Sequence, residues 1–475
     1  MRGWPWPWDC ERRCWHLVSL RSPGRTASAG RASVGTSLRV SSLAARRIAR
    51  SSAPMVFERR KRSLGRPAGV VEAGALLCVA NYSANTGYAW DFIESLYARV
   101  ADHLAEHGIR TLVAYPAIPM PPRSLEGSAA EAIALDASLA TSDSVRAIAD
   151  TIRRENVRVV YLTDRPARCR AYLRFRRAGA RLVLVHDHSS GERTRPRGFM
   201  RIAKWLLARL PGITVDTLFV VSDYVARRQI ETGLIPPSRV VRVWHGLAVN
   251  ASDASAGLAR QLLGVATDRP IVMCACRATP EKGVAHLLRA FDRVVQEWRL
   301  PRGRPLLVYI GDGPQMAELR ALRESLSARD DVLFTGHRPE ARTILPCADV
   351  CVVPSVWQEA FGLSVLEAMA SGRAVIATSV GGIPEMIEHD RTGLLVPPGD
   401  ESALTGALTA LLENPQRAMR LGTGARLQVV QRFTPEAQIG ALLAVIESGF
   451  GNPCQARQAT AVGLAGPGLR RATLQ

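Results

Sequence analysis

Short runs of apolar residues recur along this chain, each ending in a polar or glycine-bearing turn. A longer stretch with apolar residues three and four apart usually follows. The runs Ala75–Ala80, Ile109–Ala114, Val157–Leu162, Arg181–Val185, Thr217–Val221 and Val240–Val243 predict one set of strands. Ile271–Ala275, Leu306–Ile310, Val332–Thr335, Val350–Val353 and Ala374–Ala377 predict a second. These runs are continuously apolar rather than alternating, as expected of strands covered on both faces, which is the habit of parallel sheets. Strand and helix in strict alternation predict an α/β protein. A Ser/Ala/Asp-rich stretch, 249–256, divides it into domains at 71–250 and 257–430. Residues 116–130 read as a Pro/Gly-rich loop. Helices near 402–414 and 416–432 close the second domain. Thr434-Pro435-Glu436 starts a last helix over 434–448, with Thr as N-cap and Pro in the first turn. Residues 450–475 read as a disordered tail.

The stretch 195–210 is basic and amphipathic, with Phe199, Ile202, Trp205, Leu206 and Leu210 at helical spacing. It predicts a helix packed on the sheet with a solvated basic face. The alternative is docking on an anionic membrane surface.

Charge changes the picture at one end. The formal net charge of +20 suggests a nucleic-acid binder until it is located. Residues 1–70 hold fifteen Lys/Arg against three acids, which is +12 and leaves only +8 for the rest. No nucleic-acid partner is expected of the body. The Arg/Ser/Ala-rich 1–54 has the composition of a targeting peptide. A disordered tail, or an untranslated extension ahead of Met55, reads equally from the same residues. Nine scattered cysteines without zinc-ligand spacing fit a reduced cytoplasmic compartment. Cys274 and Cys276, two apart on a strand, are expected to share a face. No apolar run is long enough to span a bilayer.

Candidate chemistry gathers where strands end and helices begin, the place where open α/β sheets bind ligands. In the first domain these ends carry Gly87 and His186-Asp187-His188. Of the latter three, Asp187 is expected to orient a loop and His188 to face solvent. In the second domain they carry Arg277 and Lys282-Gly283, Gly311-Asp-Gly-Pro314, Glu359-Ala-Phe361-Gly362-Leu363, Glu367 and Gly381-Gly-Ile-Pro-Glu385. Two fixed cations beside a helix N-terminus can neutralise a diphosphate. The two carboxylates, eight residues apart, read as hydrogen-bond acceptors for opposite ends of one ligand. Ser364-x-x-Glu367 also fits a helix capping box.

These motifs, in this order over about 130 residues, resemble those of the retaining, nucleotide-sugar-dependent glycosyltransferases of family 4, in the group 1 class. The resemblance implies the GT-B fold, two facing Rossmann-like domains with a C-terminal helix crossing back to the first. It implies that Arg277 and Lys282 hold the donor diphosphate and that Glu367 binds ribose. Glu359 would contact the transferred sugar, and Gly311, Phe361, Gly362 and Leu363 would line the donor site. His186 would reach the donor sugar from the opposite domain, and Gly87 would line the cleft. The first-domain loop Asn85-Thr-Gly87-Tyr88 lacks the paired glycines common in the family. His245-Gly246 stands where Asn-Gly is common.

The expected activity is transfer of a hexose from a nucleoside-diphosphate sugar to a saccharide or lipid-linked acceptor. Glu359, His186, Arg277 and Lys282 are the catalytic set. Cations can stabilise a departing diphosphate as a metal does elsewhere, so no cofactor and no catalytic metal are expected. The alternatives are an epimerase or hydrolase using the same donor site, or a non-catalytic nucleotide-sugar binder. The expected location is cytoplasmic, free or peripheral at the membrane's inner face.

Overall fold

The computed structural model describes residues 74–249, 260–261, 263–265, 269–301 and 303–451. The expectations for 1–70, for most of the 249–256 linker and for the 452–475 tail lie outside the described residues.

Two parallel sheets form the framework. The first has seven strands: β1 (Ala75–Val79), β2 (Arg110–Tyr115), β3 (Ala130–Ala134), β4 (Val157–Thr163), β5 (Leu182–Asp187), β6 (Thr217–Val220) and β7 (Val240–Arg242). Their spatial order is β3-β2-β1-β4-β5-β6-β7. The second has six: β8 (Ile271–Ala275), β9 (Leu306–Ile310), β10 (Val332–Gly336), β11 (Val350–Val353), β12 (Ala374–Thr378) and β13 (Leu394–Val396), ordered β10-β9-β8-β11-β12-β13. Every neighbouring pair in both sheets is parallel. The central strands β1, β8, β9, β11 and β12 are buried almost throughout, as their unbroken apolar runs require.

In each sheet the strand order reverses once, between β1 and β4 and between β8 and β11. Loops from the two flanking strands part there and leave a crevice at the carboxyl ends. The fold is the expected GT-B pair of Rossmann-like domains, and the last helix crosses between them. Helix Pro435–Ile446 and the turn after it place Leu442, Leu443, Ile446 and Phe450 in the core of the first sheet, among Leu76, Tyr97 and Leu184. The crossover is tied down by Leu247 N–H donating to the Phe433 carbonyl (2.8 Å) and Gly246 N–H donating to Gln438 Oε1 (2.9 Å).

Four local expectations need correction. The 116–130 loop runs into strand β3, whose AEAIA sequence has no apolar run because it is a half-exposed edge. Helix Gly198–Leu207 does not bury an apolar face against the sheet; none of its residues is fully buried, and Phe199 is 80% and Trp205 46% exposed. Gly381–Glu385 does not open a full helix; only a short 3₁₀ turn, Ile383–Glu385, forms. Ser364 and Glu367 make no capping box. Helix Leu363–Ala370 starts two residues earlier than that motif requires, from Gly362, and has no side-chain cap.

Candidate functional site

The second-domain crevice is built from the loops after β8 and β11, the two strands at its reversal point. The β8 loop ends in a short 3₁₀ turn, Pro280–Lys282, and then Gly283, the N-cap of helix Val284–Glu297. Gly283 is left-handed (φ 67°), and a Cβ there would lie 2.0 Å from the Pro354 carbonyl oxygen. Only glycine allows the two loops to close to this distance. The contact brings Lys282 to the β11 loop, where its Nζ donates to Glu359 Oε1 at 2.5 Å. Ser355 Oγ donates to the same oxygen at 2.8 Å. Burial alone would depress the Lys282 ammonium. The Glu359 carboxylate outweighs it and holds the lysine above its ordinary value. The side chain still keeps 29% of its surface exposed, so a ligand can reach it.

Glu359 is held by backbone of its own domain as well. Gly381 is left-handed (φ 55°), and a Cβ on it would meet the Glu359 carbonyl at 1.9 Å. Gly382 N–H donates to that carbonyl at 2.9 Å. After Glu359 the chain turns through buried Phe361 into Gly362. Helices starting at Gly283 and Gly362 both lack a side-chain cap. The N–H groups of His286 and Val365 donate back to the Gly283 and Gly362 carbonyls, and the helix starts ahead of them present positive dipole ends at the crevice. Leu363 opens the second helix, and Glu367 lies one turn along it with its Oε1 3.9 Å from Arg342 Nε. Arg277 is exposed and makes no ion pair or side-chain hydrogen bond among the described residues. Gly311 packs so close to the Cys276 carbonyl that a Cβ would come within 2.0 Å. Cys274 and Cys276 share a face, with sulfurs 3.8 Å apart.

The first-domain rim is made differently. His186, at the end of β5, is fully buried, and its Nδ1 lies 2.5 Å from the Tyr161 hydroxyl. Its Nε2 has no partner among the described residues. Burial, with lesser contributions from His188 and His245, pushes His186 well below the ordinary histidine value, so it is neutral. His188 is not solvent-facing as expected. Its side chain is 10% exposed, and its ring lies 4.0 Å from His186 and 5.4 Å, stacked, from His245. Asp187 turns away from this cluster to pair with buried Arg228 (3.0 Å) and Gln229. Burial would raise it, and the Arg228 charge with those hydrogen bonds brings it below its ordinary value. Gly87 starts helix Tyr88–Glu106 at φ 107° with no side-chain cap, and open space surrounds its Cβ position. No described contact joins Gly87 to the other candidates.

The two rims meet through contacts that the sequence reading did not foresee. His245 bridges them, stacking on His188 and meeting the ring of Phe361 edge-on at 5.1 Å. Glu385 reaches across the domains and accepts from the N–H groups of Asp223 and Tyr224, both at 2.8 Å, at the start of helix Asp223–Glu231. Ser222 Oγ caps the same helix and donates to the Ala360 carbonyl at 2.5 Å. Gly191 N–H donates to the Gln358 carbonyl at 2.8 Å, and Ala360 N–H to Ser190 Oγ at 3.2 Å. The expected Lys282, Glu359 and Phe361 are thus joined to His186 through His245 and His188. A signal for His245 was present in the sequence, a His-Gly pair directly after a strand. No comparable signal marked Glu385 as an interdomain group. Among the described residues no three His, Cys, Asp or Glu side chains are arranged to hold a metal ion.

Residues 269–414 match the family described as glycosyl transferases group 1. A GDP-mannose-dependent alpha-(1-6)-phosphatidylinositol monomannoside mannosyltransferase of Mycolicibacterium smegmatis is 31% identical over 290 residues, 58% of this chain and 72% of that protein. Alpha-maltose-1-phosphate synthase of the same organism is 38% identical over 183 residues, 36% of this chain and 46% of the relative. N-acetyl-alpha-D-glucosaminyl L-malate synthase of Bacillus anthracis is 32% identical over 173 residues, 36% of this chain and 44% of the relative. The chain therefore spans about half the length of the latter two. Among solved structures, a glycosyltransferase from Rickettsia africae superposes with a TM-score of 0.66 at 19% identity, covering 80% of this chain and 100% of that one. Anabaena HepE in complex with UDP-glucose gives 0.63 at 21%, covering 79% and 99%. At these identities the likeness is one of fold.

Proposed function

Because the chain belongs to the glycosyl transferases group 1 family, we propose that it transfers a hexose, with retention at the anomeric carbon, from a nucleoside-diphosphate sugar to a saccharide, free or lipid-linked. The observation that carries this reading is the Lys282–Glu359 pair at the reversal point of the second sheet. An anion-ready lysine, two uncapped helix starts and a sugar-competent carboxylate lie within one crevice. Lys282 and Arg277 neutralise the diphosphate as it departs, and the helix dipoles add to them. Glu359 accepts from the sugar's hydroxyls, and Glu367 from the ribose. The Phe361–Leu363 backbone and Gly311 line the site. The bond from the anomeric carbon to the diphosphate breaks, the acceptor hydroxyl oxygen takes its place, and the hydroxyl proton passes to the departing diphosphate.

Retention is supported by relatives named for alpha-linked products. The fixed cations supply the charge that a divalent ion would otherwise supply, so the reaction is proposed to be metal-independent. His186 acts as a buried neutral imidazole behind the donor-sugar side of the cleft, and Gly87 lines the acceptor cleft. The thiols Cys78, Cys274, Cys276, Cys347 and Cys351, which form no disulfide among the described residues, support a cytoplasmic location, here placed at the inner face of the membrane.

The test incubates the full chain with UDP-, GDP- and ADP-sugars and candidate acceptors, with anomeric configuration read by NMR. An alpha-linked product formed equally in EDTA is expected. Free sugar as the sole product would replace transfer by hydrolysis. Reversible loss of turnover in EDTA would overturn metal independence.

A further inference from the structure

Helix Gly198–Leu207 is held to the first domain by one side only. Arg168 donates to the Lys204 carbonyl (2.8 Å), Thr214 Oγ1 donates to the Leu207 carbonyl (3.2 Å), and Ala208 just beyond the helix is buried. The opposite side carries Phe199, Ile202, Trp205 and Leu206, all exposed. A water-facing helix normally turns such a stripe inward. An exposed apolar face rimmed by polar groups marks an interaction surface.

The rim is cationic. Arg197 and Arg201 flank the stripe, and both are exposed with no acidic partner among the described residues. Helix Ala171–Ala178 is tied to the segment that follows this helix. Cys169 N–H donates to the Ile213 carbonyl, and Arg176 donates to the Thr214 carbonyl. Its Arg174 and Arg177 are likewise exposed and unpaired among the described residues. Arg209 stacks on the Trp205 ring, 4.0 Å from its centroid, and so carries its charge at the edge of the apolar stripe. Some arginines elsewhere on the surface are matched, as Arg110 is by Glu131 and Glu155, and Arg417 by Asp390, while Arg277 at the crevice is not.

We infer that helix Gly198–Leu207 and the arginines around it form a docking surface for an anionic lipid bilayer, with the aromatic and aliphatic stripe inserted among the acyl chains and the guanidinium groups on lipid phosphates. Charge decides for a lipid surface. Unpaired guanidinium groups ringing an apolar stripe match a sheet of phosphates over hydrocarbon, and tryptophan favours that boundary. The loop 188–197 joins this helix to the end of β5, where His186 and His188 lie. Docking therefore sets the bilayer beside the first-domain rim of the cleft. The inference deepens the membrane placement proposed above and does not depend on the transfer chemistry.

The test compares hydrogen exchange of the full chain alone, with phosphatidylcholine vesicles, and with vesicles that also contain phosphatidylglycerol. Amides of 198–210 are expected to slow only with the anionic vesicles, and less so at high salt. In flotation, Phe199→Ala with Trp205→Ala should lower the bound fraction by roughly tenfold or more. Arg197→Gln with Arg201→Gln should weaken the preference for anionic lipid by about the same factor. Calorimetric donor binding should be unchanged in both variants, which separates failure here from failure of the transferase reading. Unchanged exchange in 198–210 while the chain floats, or variants that float as well as the parent, would overturn the surface. So would a parent dimer in sedimentation that the Phe199/Trp205 variant loses, since the face would then be a contact between copies.

Discussion

The two sheets reverse their strand order in the same way, and the crevices they create are chemically opposite. The second-domain crevice is charged and accessible. Lys282 and Glu359 face each other there between helix starts that glycine leaves uncapped. The first-domain rim is buried and aromatic: His186 meets Tyr161 edge-on and His188 at a tilt, and His188 stacks on His245. Topology thus fixes where a ligand can sit and leaves side chains to decide what the place does. One crevice can offset negative charge. The other offers shape and neutral hydrogen bonding.

The largest test of this contrast is Lys282→Ala. Removing the one partly exposed ammonium of the charged crevice should lower turnover by about 10²–10³-fold. Donor affinity measured by calorimetry should fall with it. Unchanged donor affinity would mean that the charged crevice is not the diphosphate site.

A buried acid in the first domain comes next. Glu94 is fully buried, and burial, helped by Asp91 and only partly offset by the Ser124 and Tyr115 hydroxyls, raises it to about 7. A raised carboxyl favours the folded state fully below the unfolded value of 4.5 and loses that contribution as pH rises through about 7. Glu94→Gln should therefore stabilise the protein by about 2–3 kcal/mol at pH 8 and have little effect at pH 4. Urea titrations at both pH values would show it. Equal effects at the two would place an unseen cation beside Glu94.

The histidines act with the opposite sign. His186 and His245 are both depressed, chiefly by burial. Their contribution is present above the unfolded value of 6.5 and is lost as pH falls below it toward the folded values. Each should cost up to about 1.4 kcal/mol per pH unit in that window. Tyr161→Phe, which removes the hydroxyl beside His186, should cost about 1 kcal/mol at pH 7. A stability curve flat between pH 6.5 and 5 would show that the cluster is open to water.

Much of this architecture was readable beforehand because buried parallel strands leave unbroken apolar runs, as in Leu306–Ile310. Edge strands do not, and β3, which begins where the predicted loop ends, was not foreseen. The positions of Lys282 and Glu359 were legible because each stands next to a strand end. Their direct pairing was not, since 77 residues separate them. Glu385 escaped for the same reason. It caps a helix that begins 162 residues earlier in the chain, and no local pattern records such a partner. The exposed stripe of Gly198–Leu207 was misread because helical periodicity reports that a face is apolar but not what covers it.

The ion pair between Lys282 and Glu359 carries a kinetic consequence. With the crevice empty, each group is the other's counter-ion. On the proposed reading, a complete donor releases both, giving the lysine a phosphate and the carboxylate a sugar hydroxyl. Once the sugar has moved to the acceptor, the spent nucleotide can satisfy only the lysine. Glu359, largely buried and left with the Ser355 hydroxyl but no counter-charge, would draw Lys282 back and loosen the product. The same contact that tidies the empty site would then help to clear it for the next turnover.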